Sequence, residues 1–137
     1  MKKTKKSTPV FWVIGGGSLQ VPLIAEIRKV DPTLKILVTD MNPNCDCKNL
    51  SDYFYPINIF DLDKNIKLLY DLQNKGMEFK AILAAGLDAN FTMAVLNKLA
   101  GLKAVSPLIA YITHHKSVFR DFLEKNNLPC PRWREVS

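Results

Sequence analysis

Val10-Phe11-Trp12-Val13-Ile14-Gly15-Gly16-Gly17-Ser18-Leu19-Gln20 is the stretch on which the fold turns. Its first five residues are a continuous apolar run stopped by glycine, the pattern of a strand buried in a parallel sheet. Three glycines and a serine then make a tight turn. After it Leu19, Leu23, Ile24, Ile27 and Val30 recur at helical spacing, which predicts an amphipathic helix over 19–30. Pro22 falls in the first turn, where proline is tolerated, and Asp31-Pro32 stops the helix.

Working outward, Lys35 to Asp40 reads as a second strand ending in an acid, and Tyr53-Phe54-Tyr55 with Ile57 as a short third one. Between them, Asn-Pro-Asn-Cys-Asp-Cys reads as a loop. Asp61 caps a helix over 62–75, with Leu62, Ile66, Leu69 and Leu72 on one face and Gly76 after its end. Ala81 to Ala85 is a fourth strand, Gly86 to Ala89 its turn, and 90–100 a third helix closed by Gly101. Ala104-Val105 is a brief fifth strand ended by Pro107; 108–113 is one helical turn; Lys116 to Lys125 is a last helix. Strands alternating with helices imply an α/β chain. We expect a Rossmann-like, doubly wound, mostly parallel sheet of about five strands in a three-layer αβα sandwich.

Ligands of such sheets bind beyond the C-terminal ends of the strands. Gly15, Gly16, Gly17, Ser18, Asp40 and Asp88 fall there. A glycine turn opening a helix suits a phosphate, because the ligand can approach the backbone and meet free N–H groups. The dinucleotide fingerprint G-x-G-x-x-G needs a third glycine where this chain has Gln20. That glycine serves close packing of helix on strand, so Gln20 argues against a dinucleotide, although Asp40 stands where a ribose hydroxyl is bound. A plain connecting turn and another polar ligand stay open.

Composition sets outer bounds. The chain has 137 residues, 47% hydrophobic and 23% charged, enough for one globular domain and too short for a complete two-lobed ligase, kinase or dehydrogenase. The net charge is +6, but Lys2, Lys3, Lys5 and Lys6 carry four of those charges. The basic balance therefore belongs mainly to a flexible tail over 1–8 and gives little support for nucleic acid. Cys45, Cys47 and Cys130 are not a secreted disulfide framework. The C-x-C pair with the adjacent His114 and His115 lacks zinc-site spacing, so we expect no metal site. No apolar run spans a bilayer and no signal-peptide pattern is present, so the plain reading is a cytoplasmic protein without a membrane partner. A receiver-like signalling domain is discounted, because it needs acids where Gly15–Gly17 and Pro56 stand.

The final residues look like a chain setting off into another domain. Lys116 and Arg120 lie one turn apart on an amphipathic helix, and Asn127-Leu128-Pro129-Cys130-Pro131 follows as an extended exit. Together with the glycine turn, the acid ending strand two, SDYFYPI, AILAAGLDANFTMAVLNKLAGL and HHKSVFRDFLEKNNLPCPRW, this resembles the pre-ATP-grasp domain that opens ATP-grasp ligases. The nearest pattern is that of members like the carbamoyl-phosphate synthase large subunit. The family's hinge runs roughly D-K-x-x-x-[KR]-x-x-L-x-x-x-G-[IVL]-P-x-P. Here His115 replaces the acid, which affects helix capping, and Asn127 replaces the left-handed glycine, a milder change.

The resemblance implies three units: a basic tail over 1–8, a pre-ATP-grasp domain over 9–113, and a hinge helix and exit segment over 114–137 leading into an absent C-terminal ATP-grasp domain. It implies a carboxylate–amine (or ammonia or thiol) ligase using ATP and magnesium, acting through an acyl phosphate on a small-molecule substrate. Lys116 would contact ATP phosphates, and Arg120 matches by position. Gly15–Ser18, Gln20, Asp40 and Asp88 would face the acceptor. The lid lysine and magnesium carboxylates have no place in this length. The fragment is therefore expected to hold no catalytic residue and no tightly bound cofactor, and to be inactive alone. A stand-alone nucleotide- or dinucleotide-binding module is the alternative. Apolar residues left exposed, Tyr53, Phe54 and Trp133 among them, would also allow a homodimer.

Overall fold

The structure, a computed structural model, describes residues 7–134. Residues 1–6 of the expected tail lie outside the described residues. Four strands and five α-helices follow in the order β1 (Thr8–Ile14), α1 (Gln20–Val30), β2 (Lys35–Thr39), β3 (Tyr53–Tyr55), α2 (Leu62–Asn74), β4 (Met77–Leu83), α3 (Asn90–Leu99), α4 (Pro107–His114) and α5 (Lys116–Lys125). The sheet runs β3-β2-β1-β4 with every pair parallel. It is the expected Rossmann-like α/β fold, with four strands rather than five.

Alternation along β1 builds the three layers. Val10, Trp12 and Ile14 face Leu68, Leu69 and Leu72 of α2 and Leu96 of α3. Val13 points the other way, and with Ile36 and Val38 it covers Ile24 and Ile27 of α1. Trp12 is fully buried and its indole N–H donates to Thr39 Oγ1 at 3.0 Å, so the largest core side chain leaves no polar atom unpaired. The chain builds outward from β1 in one direction, then returns through α2 to place β4 on its other side. The strand order therefore reverses between β1 and β4. In open α/β sheets the ligand crevice forms at such a reversal.

Several boundaries differ from expectation: β1 begins at Thr8, inside the expected tail, and α4 covers eight residues rather than one turn. β4 starts at Met77, not Ala81: Met77 and Phe79 alternate with Glu78 and Lys80, and the strand pairs with β1 from Thr8 onward. A register shift between Val10 and Phe11 skips Lys80. Ala84 and Ala85, expected in the strand, are loop. The fifth strand does not form. Ala104 and Val105 stand away from β4 across a cavity of about 630 Å³. Asn97 Nδ2 donates to the Ile82 carbonyl at 2.8 Å, occupying an acceptor on this last strand. From Gly101 the chain runs unpaired to Ser106, whose side chain caps α4 by accepting from Ile109 N–H at 3.2 Å. Among the described residues no helix is long and apolar enough to cross a membrane.

Asp52 ties one corner together. Its carboxylate accepts from Ile36 N–H at 2.8 Å and pairs with Lys35 and Arg28, both at 3.1 Å. Burial pushes this carboxyl up, but the hydrogen bonds from Ile36, Lys35 and Arg28 outweigh it and hold it below the ordinary value. A carboxyl lowered in the folded state stabilises above its unfolded value, near pH 4, and loses that contribution as pH falls through its folded value. Asp52→Asn should therefore lower the urea midpoint at pH 7. Titrated downward from pH 4, the difference from the parent chain should shrink.

Candidate functional site

The C-terminal ends of β1, β2 and β4 meet in a set of interlocked loops. Gly15 has a positive φ of 84°, and a Cβ there would stand 2.3 Å from Leu87 Cδ1. Gly16 donates to Asp40 Oδ2 at 2.7 Å, and a Cβ on it would stand 2.3 Å from Cys45 Sγ. The close approaches that demand glycine here are thus made by the chain's own Leu87 and Cys45. Asp40 has each oxygen bonded to the backbone, the second by Asn42 N–H at 2.7 Å, so it ties the glycine turn to the loop after β2.

Gln20 stands where a dinucleotide fold has its third glycine. It is buried, and its amide makes two bonds to one residue: Nε2 donates to the Ala85 carbonyl at 2.6 Å, and Oε1 accepts from Ala85 N–H at 2.8 Å. It bridges the reversal between β1 and β4. Expected to face an acceptor, Gln20 is buried and ties these two loops together. Gly17, Ser18 and Leu19 on one side and Gly86 and Asp88 on the other remain exposed.

The loop of Cys45 and Cys47 closes the far side of the turn. Cys47 N–H donates to the Gly16 carbonyl at 2.9 Å, and its thiol lies 3.6 Å from the Gly17 carbonyl. Burial pushes the Cys47 thiol up to about 11, helped by Cys45, Asp46 and Asp40 nearby. Burial raises Cys45 as well. Both stay protonated at neutral pH and pack as small apolar groups rather than as nucleophiles or ligands. Among the described residues no three of His, Cys, Asp and Glu gather as a metal set.

The C-terminal helices lie beside α3. Phe91 packs edge-on to Tyr111 at 5.9 Å, and Tyr111 lies 4.3 Å from the His115 ring. His115 links α4 to α5 and is the N-cap of α5 without a side-chain cap bond, the consequence anticipated from its replacing an acid. Lys116 is exposed and makes no ion pair among the described residues. Arg120 lies over the Trp133 ring at 5.8 Å, and Trp133 Nε1 donates to Glu124 Oε1 at 2.9 Å. These contacts fold the exit segment back on α5. Spacing along the helix brought Lys116 and Arg120 together but carried no hint of Trp133. Asn127 has φ of 53°, and Leu128 N–H returns to the Leu123 carbonyl at 2.9 Å, the left-handed helix end expected there.

No family model matches the chain, and no curated protein does. Solved structures do. Phosphoribosylglycinamide synthetase from Anaerococcus prevotii superposes with a TM-score of 0.73 at 19% identity, over 87% of this chain and 29% of its own. N5-carboxyaminoimidazole ribonucleotide synthetase from Thermotoga maritima gives 0.62 at 25%, over 90% and 32%. L-amino acid ligase from Bacillus licheniformis gives 0.60 at 15%, over 92% and 32%. All three are ATP-grasp enzymes. The chain has the pre-ATP-grasp fold. It spans about a third of the length of the structures it matches. In this fold the Gln20 amide spans the crevice between the loops after β1 and β4.

Two substitutions test the geometry. Gly16→Ala should destabilise the chain by about 1–3 kcal/mol through overpacking against Cys45, and Cys45→Ala in the same chain should recover part of the loss; paired denaturant titrations measure both. His115→Asp supplies the missing cap but removes the ring stacked on Tyr111, so the cap is read against His115→Ala, which lacks both: the Asp variant should be more stable than the Ala variant by about 1 kcal/mol, with the higher thermal midpoint.

Proposed function

We propose that this chain is the acceptor-side part of an ATP-dependent carboxylate–amine ligase. In that reaction a carboxylate takes the terminal phosphoryl group of ATP, releasing ADP. An amine, ammonia or a thiol then bonds to the acyl carbon as phosphate leaves. The observation that carries the reading is a pre-ATP-grasp fold running into a hinge of the matching pattern, His115-Lys116 through Arg120 and Leu123 to Asn127-Leu128-Pro129-Cys130-Pro131. Leu108, Phe122 and Leu128 leave apolar surface exposed on α4, α5 and the exit segment, which suits a further domain packed there.

Within the reading Lys116 meets ATP phosphate as a point charge. Arg120 would have to leave the Trp133 ring to do the same. No magnesium set exists among the described residues, so the metal ligands would come from the rest of such an enzyme. The 137 residues then carry no catalytic residue. The dinucleotide alternative has against it Gln20, which stands at the third glycine position and is bonded across the crevice to Ala85.

ADP formation tests this. The chain alone should release none. A longer protein carrying it should form ADP when given a carboxylate and an amine, and Lys116→Ala should raise its KM for ATP by about ten-fold, the loss of one charge-assisted contact. Micromolar binding of NAD or NADP by the isolated chain would overturn the reading.

A further inference from the structure

We infer that the cavity beside β4 is a small-molecule site for an apolar acid that carries one N–H or O–H donor, the donor against Asn97 Oδ1 and the carboxylate at Lys103. The site is separate from the loops of the ligase reading: none of residues 15–19, 40–47 and 84–89 lines it. The cavity, about 630 Å³, lies between β4, α3, α4 and the segment over 102–105. That volume falls in the range of sites for small organic molecules, which are mostly apolar with a few placed polar groups. Ala81, Leu83, Met93, Ala94, Leu102 and Val105 supply the apolar wall.

Asn97 gives this wall a fixed polarity. It is 5% accessible, and both its amide hydrogens are spent: Nδ2 donates to the Ile82 and Met93 carbonyls, each at 2.8 Å. Two carbonyl partners fix which end of the amide is nitrogen. Asn97 Oδ1 accepts no bond among the described residues. It is also not sealed, since Asn65 Oδ1 is the one side-chain atom there that is both sealed and unpartnered. Asn97 borders the cavity, so its oxygen is a nearly buried acceptor waiting for a donor. Thr113 adds a second acceptor, because its hydroxyl hydrogen goes to the Ile109 and Ala110 carbonyls. The other polar side chains on the wall, Lys80, Asn90 and Lys103, are exposed. Lys80 pairs with Glu78, whereas Lys103 makes no ion pair among the described residues. A carboxylate at Lys103 would complete that pairing. An extended peptide is the other occupant a sheet edge suggests. Asn97 stands against it, because its amide already holds the Ile82 carbonyl that an added strand would use.

Amide chemical-shift titration of the 137-residue chain with indole-3-acetate tests this. Met93, Asn97, Leu102 and Lys103 should shift saturably. Benzothiophene-3-acetate has nearly the same shape and no donor, and should bind about ten-fold more weakly, the cost of leaving the Asn97 oxygen unpaired. Lys103→Ala should weaken indole-3-acetate about three-fold, as expected of an exposed ion pair, and leave the binding of uncharged indole unchanged. No saturable shift at these residues, equal binding of the two acids, or a Lys103→Ala variant that treats the acid and indole alike would overturn the inference. Tighter binding of a short valine-rich peptide, with shifts running along Lys80 to Leu83, would also overturn it and assign the cavity to an added strand.

Discussion

The paired hydrogen bonds between the buried amide of Gln20 and the backbone of Ala85 hold the working end of this molecule together. They cross the one place where the sheet reverses its strand order, and they join loops 65 residues apart in sequence. A buried amide without these partners would cost about 1–3 kcal/mol, so the bridge and the two loops stand or fall as a unit. Leu87 over Gly15 and Cys45 against Gly16 complete the closure. With the crevice filled from within, Gly17, Ser18, Leu19, Gly86 and Asp88 form its exposed outer rim.

The C-terminal hairpin follows a different logic. Its helices bury little of their own: Ala110 is the only buried residue of α4, and α5 has none. The hairpin is held instead by aromatic stacking of Phe91, Tyr111 and His115 and by the packing of Arg120, Trp133 and Glu124. Such polar and aromatic contacts position a segment without building it a core. Asn127 then turns the chain through a left-handed residue that few side chains other than glycine accept at low cost.

Much of this was legible in the sequence, for identifiable reasons. β1, its glycine turn and α1 carried an unbroken apolar run followed by a 3.6-residue period, and local pattern decided them. The cap at Asp61 and the left-handed Asn127 were readable because each is a short-range event. β4 was misplaced because its first half alternates with charged residues and draws its strand character from pairing with Thr8 to Val10. The expected fifth strand does not form: Ala104 and Val105 stand away from β4, where the Asn97 amide holds the Ile82 carbonyl. The same limit hid the partners of Gln20, Asp40 and Arg120. Residue type and position marked them for the site, but only the fold shows that their polar groups already have occupants.

The sheet therefore ends on a bare edge, and β4 carries its own defence. Bare edges invite pairing with another chain, and charges on them discourage it. Glu78 and Lys80 pair with each other on this strand, Ser7 adds a hydrogen bond to Glu78, and Asn97 blocks one carbonyl. A second copy pairing with this edge would have to displace the Asn97 amide to use the Ile82 carbonyl. Glu78 and Lys80 thus put on this strand the kind of charge that discourages pairing with another chain.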